Sequence, residues 1–402
     1  MPLALSQSPS PPPADESTRP AIDVAKPASE VSIDVALRQM AAIAKASPLA
    51  LMRDFAVLAF GPGQVSFADY RRLRLFDEAF YAGVDRRAVI GQKRNCQINL
   101  TVNYRHDWMG LLADKIASAS YLAAYGFPTI PPVAIYADKL ASAASWVIRD
   151  PGALRAFLMK EEYYPLFGKP TEGMQSLGSA PLHRYIPSTQ CVETTDGRML
   201  RLEALVSGIV EHYAQGYVFQ KLLSPHAAIR ALCGARLATI RVVTMAVDGE
   251  AKVFRACWKI PAGANAADNY WRAGNLLAQI DPTNGRVLRV TSGSGLELCE
   301  HTAHPDTGAP LVGAQVPCWR ELVDTAVEAA KLMRHMPLIG WDMTVLEAGP
   351  VIVEMNEQPD FFLNQLADRR GVLDPELLAF MDTQKRKAAD YQKVVKRSAR
   401  QL

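Results

Sequence analysis

Two carboxylates and a carboxamide lie close together in the C-terminal part of the sequence. Asp342 lies within one apolar run, and Glu354 and Asn356 lie within the next. The Glu-Ala-Gly of residues 347–349 predicts a three-residue hairpin loop, because glycine adopts the left-handed backbone that such a loop needs. The simplest register then places Asp342 opposite Glu354 on one face of the hairpin. Asn356 shares this face, because side chains two residues apart on a strand point the same way.

These three side chains predict a metal site. Two carboxylates on one face of a strand pair repel each other unless a cation lies between them. All-oxygen ligands favour Mg²⁺ or Mn²⁺, and Mg²⁺ commonly takes its remaining ligands from phosphates and water. The alternative is a solvated polar face of an edge hairpin, which does not explain the bulky apolar residues Val351, Val353 and Met355 at the alternate positions.

A second set of residues is typical of phosphate binding. A β-like run ends at Lys169 and leads into a loop that contains Gly173 and Gly178. Small residues let backbone N–H groups approach phosphate oxygens, and a lysine adds a positive charge. Lys115 is a further candidate near the start of a helix predicted over residues 111–125. An ordinary turn and an exposed helix lysine remain the alternative interpretations.

Two basic residues occur inside predicted strands. Arg241 lies among β-branched residues in the run 238–247, and after an Asp-Gly turn the run 251–260 carries Lys259. The pair of runs predicts a β-hairpin. A buried strand arginine needs an anionic partner. A phosphoryl group or acyl phosphate would serve, and a structural ion pair is the alternative.

The metal hairpin and the residues that follow it resemble a known family. Ile-Gly-Trp-Asp342 with Glu354-Met-Asn356 resembles the metal-binding signature of the ATP-grasp superfamily. The continuation Glu-Gln-Pro-Asp360 is similar to the sugar-transfer-associated ATP-grasp group, which is related to α-L-glutamate ligases. The resemblance runs from about residue 111 to residue 365. It implies an α+β chain with the ATP-grasp fold, in which two α+β lobes clamp ATP together with Mg²⁺ or Mn²⁺.

The resemblance also implies roles for particular residues. Lys115, Lys169, Gly173 and Gly178 would bind the phosphates. A hinge would bind adenine through its backbone, formed by Gln220, Lys221, Leu222 and Leu223. A stretch similar to the family's substrate-binding segment offers Asp268, Asn269 and Arg272. Arg241 and Lys259 would act as catalytic residues that stabilise the transferring phosphoryl group.

The implied activity is an ADP-forming carbon–nitrogen ligation. A substrate carboxylate attacks the γ-phosphate of ATP to give an acyl phosphate, and an amine then displaces phosphate to form an amide. The group's association with sugar transfer suggests a sugar acid or an amino-acid conjugate as substrate. The alternatives are an ATP-grasp kinase or phosphotransferase, and a non-catalytic nucleotide-binding module of a glycan- or peptide-modifying complex.

Composition changes along the chain predict its organisation. Residues 1–30 are rich in Pro, Ser and Ala, which predicts a disordered tail. Residues 31–110 are mostly helical in pattern. Residues 111–375 form the predicted ATP-grasp core, with a lid-bearing subdomain at 160–225 and a metal-site subdomain at 226–375. The last region, residues 376–402, predicts a basic C-terminal helix. Within the core, residues 200–206 are predicted as a strand.

The overall composition limits the classes of partner. The 402 residues carry a net charge of only +3, which does not indicate nucleic-acid binding. The six cysteines include no CxxC pair, so we expect reduced thiols in a cytoplasmic protein. Cys299, His301 and His304 lack a second ligand pair, so we do not predict zinc there. No apolar run is long enough to predict a membrane span. The sequence leaves the oligomeric state open, and a homo-oligomer is compatible with it.

Overall fold

A computed structural model describes residues 32–81, 83–139, 144, 146–172 and 178–398 of the chain. The predicted tail at residues 1–30 and the predicted phosphate-loop residue Gly173 lie outside the described residues. Among the described residues, no helix is long and apolar enough to cross a membrane.

The first sheet has seven strands in the order β2-β1-β7-β3-β4-β5-β6. The β1–β2 pair is parallel, and the other pairs are antiparallel. Its strands are β1 Pro132–Tyr136, β2 Val147–Ile148, β3 Leu166–Pro170, β4 Ala180–Ile186, β5 Cys191–Thr194, β6 Met199–Arg201 and β7 Tyr217–Lys221.

The second sheet has seven antiparallel strands in the order β12-β11-β10-β9-β8-β13-β14. The predicted hairpin of the two basic residues is β8–β9, and the predicted metal hairpin is β13–β14. The strands are β8 Thr239–Val247, β9 Glu250–Ile260, β10 Leu276–Ile280, β11 Val287–Ser292, β12 Cys299–His301, β13 Leu338–Leu346 and β14 Gly349–Asn356.

Helices precede, separate and cover these sheets. The region before the first sheet contains α1 Ile33–Ala44, α2 Pro48–Ala59, α3 Phe67–Arg72, α4 Gln92–Val102, α5 Met109–Ala113 and α6 Lys115–Ala124. The remaining helices are α7 Pro151–Leu158, α8 Leu202–His212, α9 Ala227–Cys233, α10 Trp319–Leu332, α11 Phe361–Asp368 and α12 Pro375–Ser398. The predicted α+β class and the N-terminal helical region are confirmed.

The two faces of the second sheet differ in chemistry. Apolar side chains on one face, among them Trp258 and Trp341, pack in the core cluster that includes α10. The alternate positions of the same strands place Arg241, Lys259 and Asp342 on the opposite face, because successive side chains of a strand point to opposite faces. Farther along this opposite face, apolar residues pack against α11 and the N-terminal helices. The strand alternation therefore brings the predicted charged residues to one surface.

Three details differ from the sequence prediction. Only residues 200 and 201 of the run predicted as a strand lie in one, namely β6, because α8 begins at Leu202 and buries residues at helical spacing. The helix predicted over residues 111–125 is divided at Asp114, whose carboxylate caps α6 by accepting from the backbone N–H groups of Ile116 and Ala117 at 2.8 Å. The metal hairpin has a two-residue turn, with Leu346 opposite Gly349.

A β-bulge restores the predicted register of the metal hairpin. With the shorter turn alone, Asp342 would not be the partner of Glu354. The register shifts between Asp342 and Met343, so that Met343 pairs with Ile352 while Asp342 pairs with Glu354. A bulge inserts an extra residue in one strand, here Val353. The predicted pairing of the two carboxylate residues is therefore right, although the predicted loop length is wrong.

Candidate active site

A buried charge cluster on three adjacent strands forms the floor of a cleft. Arg241 of β8 lies directly opposite Asp342 of β13. Its Nε donates to Asp342 Oδ1 at 2.5 Å, and its Nη2 donates to Oδ2 at 2.9 Å. Lys259 of β9 donates through Nζ to the same Oδ2 at 2.9 Å. Burial by itself would raise the pKa of Asp342, but Arg241 and Lys259 hold that pKa well below its usual range.

Glu354 and Asn356 extend this cluster along β14. Both line the cleft with Asp342. Burial, and then the neighbouring Asp342 carboxylate, raise the pKa of Glu354, whereas Lys115 and Lys169 act in the opposite direction. The Nδ2 of Asn356 donates to the Gly340 carbonyl at 3.2 Å, which orients the carboxamide and leaves its oxygen as an acceptor.

The predicted metal ligands fit a hard cation in chemical type. They offer oxygen atoms only, and a divalent cation near Glu354 would relieve the repulsion that raises its pKa. However, both oxygens of Asp342 already accept hydrogen bonds from Arg241 or Lys259. Glu354 and Asn356 are therefore the more available ligands. Within the described ranges, no group of three or more His, Cys, Asp or Glu side chains could hold a metal ion.

Two lysines enter the cleft from the side of the first sheet. Lys169 on β3 is only 7 % exposed, and burial lowers its pKa, although Glu354 opposes this shift. Lys115 is the first residue of α6, and its backbone N–H donates to the Thr171 carbonyl just after β3 at 3.3 Å. Both lysines line the cleft. The structure thus brings together the two predicted phosphate-binding lysines and the predicted metal hairpin.

The predicted adenine hinge borders the same cleft. Gln220, Lys221, Leu222 and Leu223 all line it. The Gln220 side chain donates to the Ile130 carbonyl at 2.7 Å, and so connects β7 to the segment before β1. Lys221 donates through Nζ to the Tyr163 carbonyl at 2.6 Å. Since these two polar side chains bond to the protein backbone, they hold the hinge in position.

Gly178 has a local structural role. Its backbone φ is +76°, and an added Cβ would lie 2.4 Å from the Tyr213 hydroxyl oxygen. The Tyr217 hydroxyl donates to the Gly178 carbonyl at 2.8 Å. Both the conformation and the close approach require glycine. Gly178 is not among the described residues that line the cleft, whereas its neighbour Ser179 is.

Only part of the predicted substrate segment lines the cleft. Asp268 and Asn269 line the cleft, but Arg272 is not among the described lining residues. Asp268 is buried, and its Oδ2 accepts from the backbone N–H of Thr239 at 2.7 Å. Burial raises the pKa of Asp268, and the nearby Lys259 opposes that shift. Asp268 therefore connects its loop to the start of β8 beside the charge cluster.

Part of the cleft wall was not predicted from the sequence. Arg72, Gln92 and Asn95 of the N-terminal helices line the cleft together with Trp271 and Asp360. One sequence signal could have indicated this wall. Asn95, Asn99 and Asn103 follow one another at helical spacing and are all buried, which is an unusual polar stripe for a packed helix face. The whole cavity has a volume of about 1310 Å³.

Comparison with known proteins supports the predicted resemblance. Residues 193–379 match the sequence model of the family described as sugar-transfer associated ATP-grasp. This segment contains β7 to β14, and so includes the metal hairpin and both catalytic candidates. The resemblance predicted from these motifs is therefore confirmed for this part of the chain. No curated protein gives a significant match to the chain.

Three of the solved structures with partial similarity to the chain are described as ligases. The D-alanine–D-alanine ligase of Coxiella burnetii is 13 % identical with a TM-score of 0.41, and the alignment covers 71 % of this chain and 60 % of that one. The corresponding Bacillus anthracis ligase is 15 % identical, with a TM-score of 0.40 and 70 % of each chain covered. The ATP-grasp ligase PsnB, complexed with a minimal precursor, is 16 % identical with a TM-score of 0.36, covering 68 % and 62 %.

Proposed function

Because residues 193–379 match the model of the sugar-transfer-associated ATP-grasp family, we propose that this protein is an ATP- and Mg²⁺-dependent carboxylate–amine ligase. It joins a carboxylic acid to an amine through an acyl phosphate and releases ADP and phosphate. One observation carries this proposal. Four basic side chains surround two carboxylates in a single cleft, namely Lys115, Lys169, Arg241 and Lys259 around Asp342 and Glu354.

The cleft suggests where the parts of ATP bind. The backbone of residues 220–223 accommodates adenine at one border of the cleft. The phosphates then extend to Lys169 and Lys115. Burial disfavours the charged form of Lys169, and a phosphate oxygen beside it would restore a favourable environment for the ammonium group. Mg²⁺, held by Glu354 and Asn356 with Asp342 behind them, would neutralise charge on the β- and γ-phosphoryl oxygens.

The chain's own basic residues stabilise the reacting groups. A substrate carboxylate oxygen attacks the γ-phosphorus, and the bond from that phosphorus to the bridging oxygen breaks to release ADP. The amine nitrogen then attacks the acyl carbon, the bond from this carbon to the phosphate oxygen breaks, and the nitrogen loses a proton. Arg241 and Lys259 supply fixed positive charge where the transferring group carries negative charge. The reaction requires no covalent nucleophile from the protein.

The activity can be tested by measuring ADP release across a matrix of acids and amines. The acids should include sugar acids and amino-acid conjugates. We expect ADP and phosphate only when a carboxylate and an amine are both present. Hydroxylamine in place of the amine should trap the acyl phosphate as a hydroxamate. Release of AMP would contradict the proposal, and a stable phosphorylated alcohol would identify a kinase instead.

A matched pair of lysines on one strand provides the control. Lys259 lies in the cleft, whereas Lys252 on the same strand β9 is exposed and pairs with Glu376 at 2.8 Å. We expect Lys259→Met to abolish hydroxamate formation and Lys252→Met to leave it unchanged. Equal loss in both variants would indicate a general effect on the fold instead of a role in the reaction.

A further inference from the structure

The wall formed by the N-terminal helices has chemistry that the proposed ligase mechanism does not use. Arg72 is the last residue of α3, and Gln92 and Asn95 lie in the first turns of α4. All three line the cleft. They precede residues 193–379, which match the family, so this wall is a feature of the present chain outside the matched segment.

Arg72 is a half-buried cation that stacks on an aromatic ring. Its guanidinium stacks on the Trp271 ring with 3.4 Å between the guanidinium carbon and the ring centroid. Among the described residues, no carboxylate lies within 4 Å of it, and its side chain makes no hydrogen bond. Stacking on an aromatic face leaves the N–H edge of a guanidinium free to bind a planar oxyanion.

Two carboxylates act on the charge of Arg72, and both already accept hydrogen bonds from other groups. Asp360 accepts from the Trp271 indole N–H at 3.0 Å and from the backbone N–H of Phe362 at 3.0 Å. Asp69 accepts at 3.0 Å from the backbone N–H of Ser66 and at 3.2 Å from that of Gln92. Asp360 and Asp69 therefore moderate the positive charge of Arg72 without pairing with it.

The start of α4 adds a second favourable feature for an anion. Gly91 is its N-cap and has no side chain to cap the helix. The positive end of the helix dipole and its N–H groups attract negative charge, although Asp69 already satisfies the Gln92 N–H.

Asn95 adds an unpartnered acceptor to the same wall. It is 3 % exposed, and its carboxamide oxygen has no hydrogen-bond partner within the described part of the chain. A buried polar atom of this kind requires a partner.

We propose that Arg72, Gln92 and Asn95 form a subsite for a second, anionic end group of the acid substrate. This inference rests on the proposed ligase function. The substrate is then a small acid with two anionic groups, one that reacts beside Lys259 and one that binds Arg72. The link from Trp271 to Asp360 places this subsite beside the segment that follows Asn356, and so next to the proposed reaction centre. A hydrogen-bond donor on the substrate supplies the missing partner of the Asn95 carboxamide oxygen.

Binding without turnover tests the subsite independently of the ligase activity. Calorimetric titration in the presence of Mg²⁺ and a non-hydrolysable ATP analogue would compare succinate, glutarate and adipate with butanoate, pentanoate and hexanoate. We expect at least one dicarboxylate to bind the wild type about tenfold more tightly than its monocarboxylate counterpart, as one charge-assisted hydrogen bond would give. 3-Phosphonopropanoate in a parallel titration would distinguish a phosphate-type end group from a carboxylate.

Variants assign the preference to this wall. Arg72→Met should keep the packing against the Trp271 ring but remove the preference for the dianion. Arg71→Met, on the same helix but outside the cleft lining, should keep it. Asn95→Asp is nearly isosteric and should weaken dianion binding by charge repulsion, with nucleotide affinity retained as evidence of folding. Equal binding of both acid series by the wild type, or a preference that persists in both Arg72→Met and Asn95→Asp, would overturn the proposal. If the wild type preferred the dianions but released no ADP with any acid and amine, only the ligase mechanism would be contradicted.

Discussion

Two buried arginine–carboxylate clusters lie on the same face of the second sheet. Arg241 pairs with Asp342, and Arg255 pairs with Asp374 and, at 3.6 Å, with Asp368. Cys257 is the cross-strand partner of Arg241, and Arg255 lies two residues before it on β9, so the two arginines are close neighbours. Both guanidinium groups are buried. Burial of a charged pair therefore does not distinguish an active site from a structural ion pair.

Access and charge balance distinguish the two clusters. Arg241 lines the cleft and shares Asp342 with a second cation, Lys259, and Lys115 and Lys169 add two further positive charges near Glu354. Arg255 is absent from the described cleft lining and is shared by two carboxylates of the C-terminal region. An excess of positive charge facing an open cleft is suited to phosphate, whereas an excess of carboxylate around one cation is suited to fixing a chain segment.

The largest expected effect is loss of turnover in the cleft cluster. We expect Glu354→Gln to lower ADP release by about 1000-fold or more, because the change removes the charge that faces the metal and phosphates. Thermal unfolding should change little, because a neutral group there relieves repulsion from Asp342. Asp374→Asn in the other cluster is the matched carboxylate control for activity. Normal ADP release by folded Glu354→Gln protein would contradict the metal assignment.

The second effect should appear in stability and not in activity. We expect Arg255→Met to lower the free energy of unfolding by about 3 kcal/mol, because it leaves Asp368 and Asp374 without their shared cation. Urea unfolding would measure this loss, with Lys252→Met on the same strand as the control. ADP release per folded molecule should stay at the wild-type level. Loss of activity without loss of stability would move this cluster into the catalytic site.

A third, smaller effect concerns the phosphate side of the cleft. We expect Lys169→Met to weaken ATP binding or turnover by about 100-fold, because one buried ammonium group no longer faces the phosphates. The control is Lys387→Met on the basic helix α12, where Lys387 pairs with Asp248 at 2.6 Å outside the cleft. Nucleotide affinity by calorimetry would decide. A greater loss from Lys387→Met would show that the phosphate site has been misplaced.

The sequence predicted those features that local patterns determine. Strands β8 and β9 lie within one residue of the predicted runs 238–247 and 251–260, because apolar and β-branched residues and the Asp-Gly turn between them mark both strands. The opposition of Asp342 and Glu354 was also correct, but only because a β-bulge compensates for the shorter turn. No local pattern marks such a bulge in advance. Helix α8 was missed because its first residues are also apolar and β-compatible.

Features formed by distant segments could not be predicted. The stacking of Arg72 on Trp271 joins helix α3 to the loop between β9 and β10, which are far apart in the chain. The partner of Arg241 was left open between a phosphoryl group and a structural ion pair, and the structure places Asp342 there. A sequence indicates that a buried arginine needs an anion, but it does not identify which one. This information exists only once the strands are paired.

The smallest expected effect is a pH dependence that belongs to the structural cluster. Burial raises the pKa of Asp368 to about 6, although Arg255 opposes the shift. A carboxyl group with a raised folded-state pKa contributes stability below its unfolded pKa, and this contribution is lost as the pH rises through about 6. Between pH 4.5 and pH 7.5 the loss from this group should be roughly 2 kcal/mol. Asp368→Asn removes the titration, so its unfolding free energy should fall less than that of the wild type over this interval. Urea unfolding of both proteins at the two pH values gives the difference, in which the opposite contribution of Asp342 cancels. If the two proteins differed in unfolding free energy by the same amount at both pH values, Asp368 would be ionised throughout this range. The two clusters would then differ less in electrostatic environment than their burial and pairing imply.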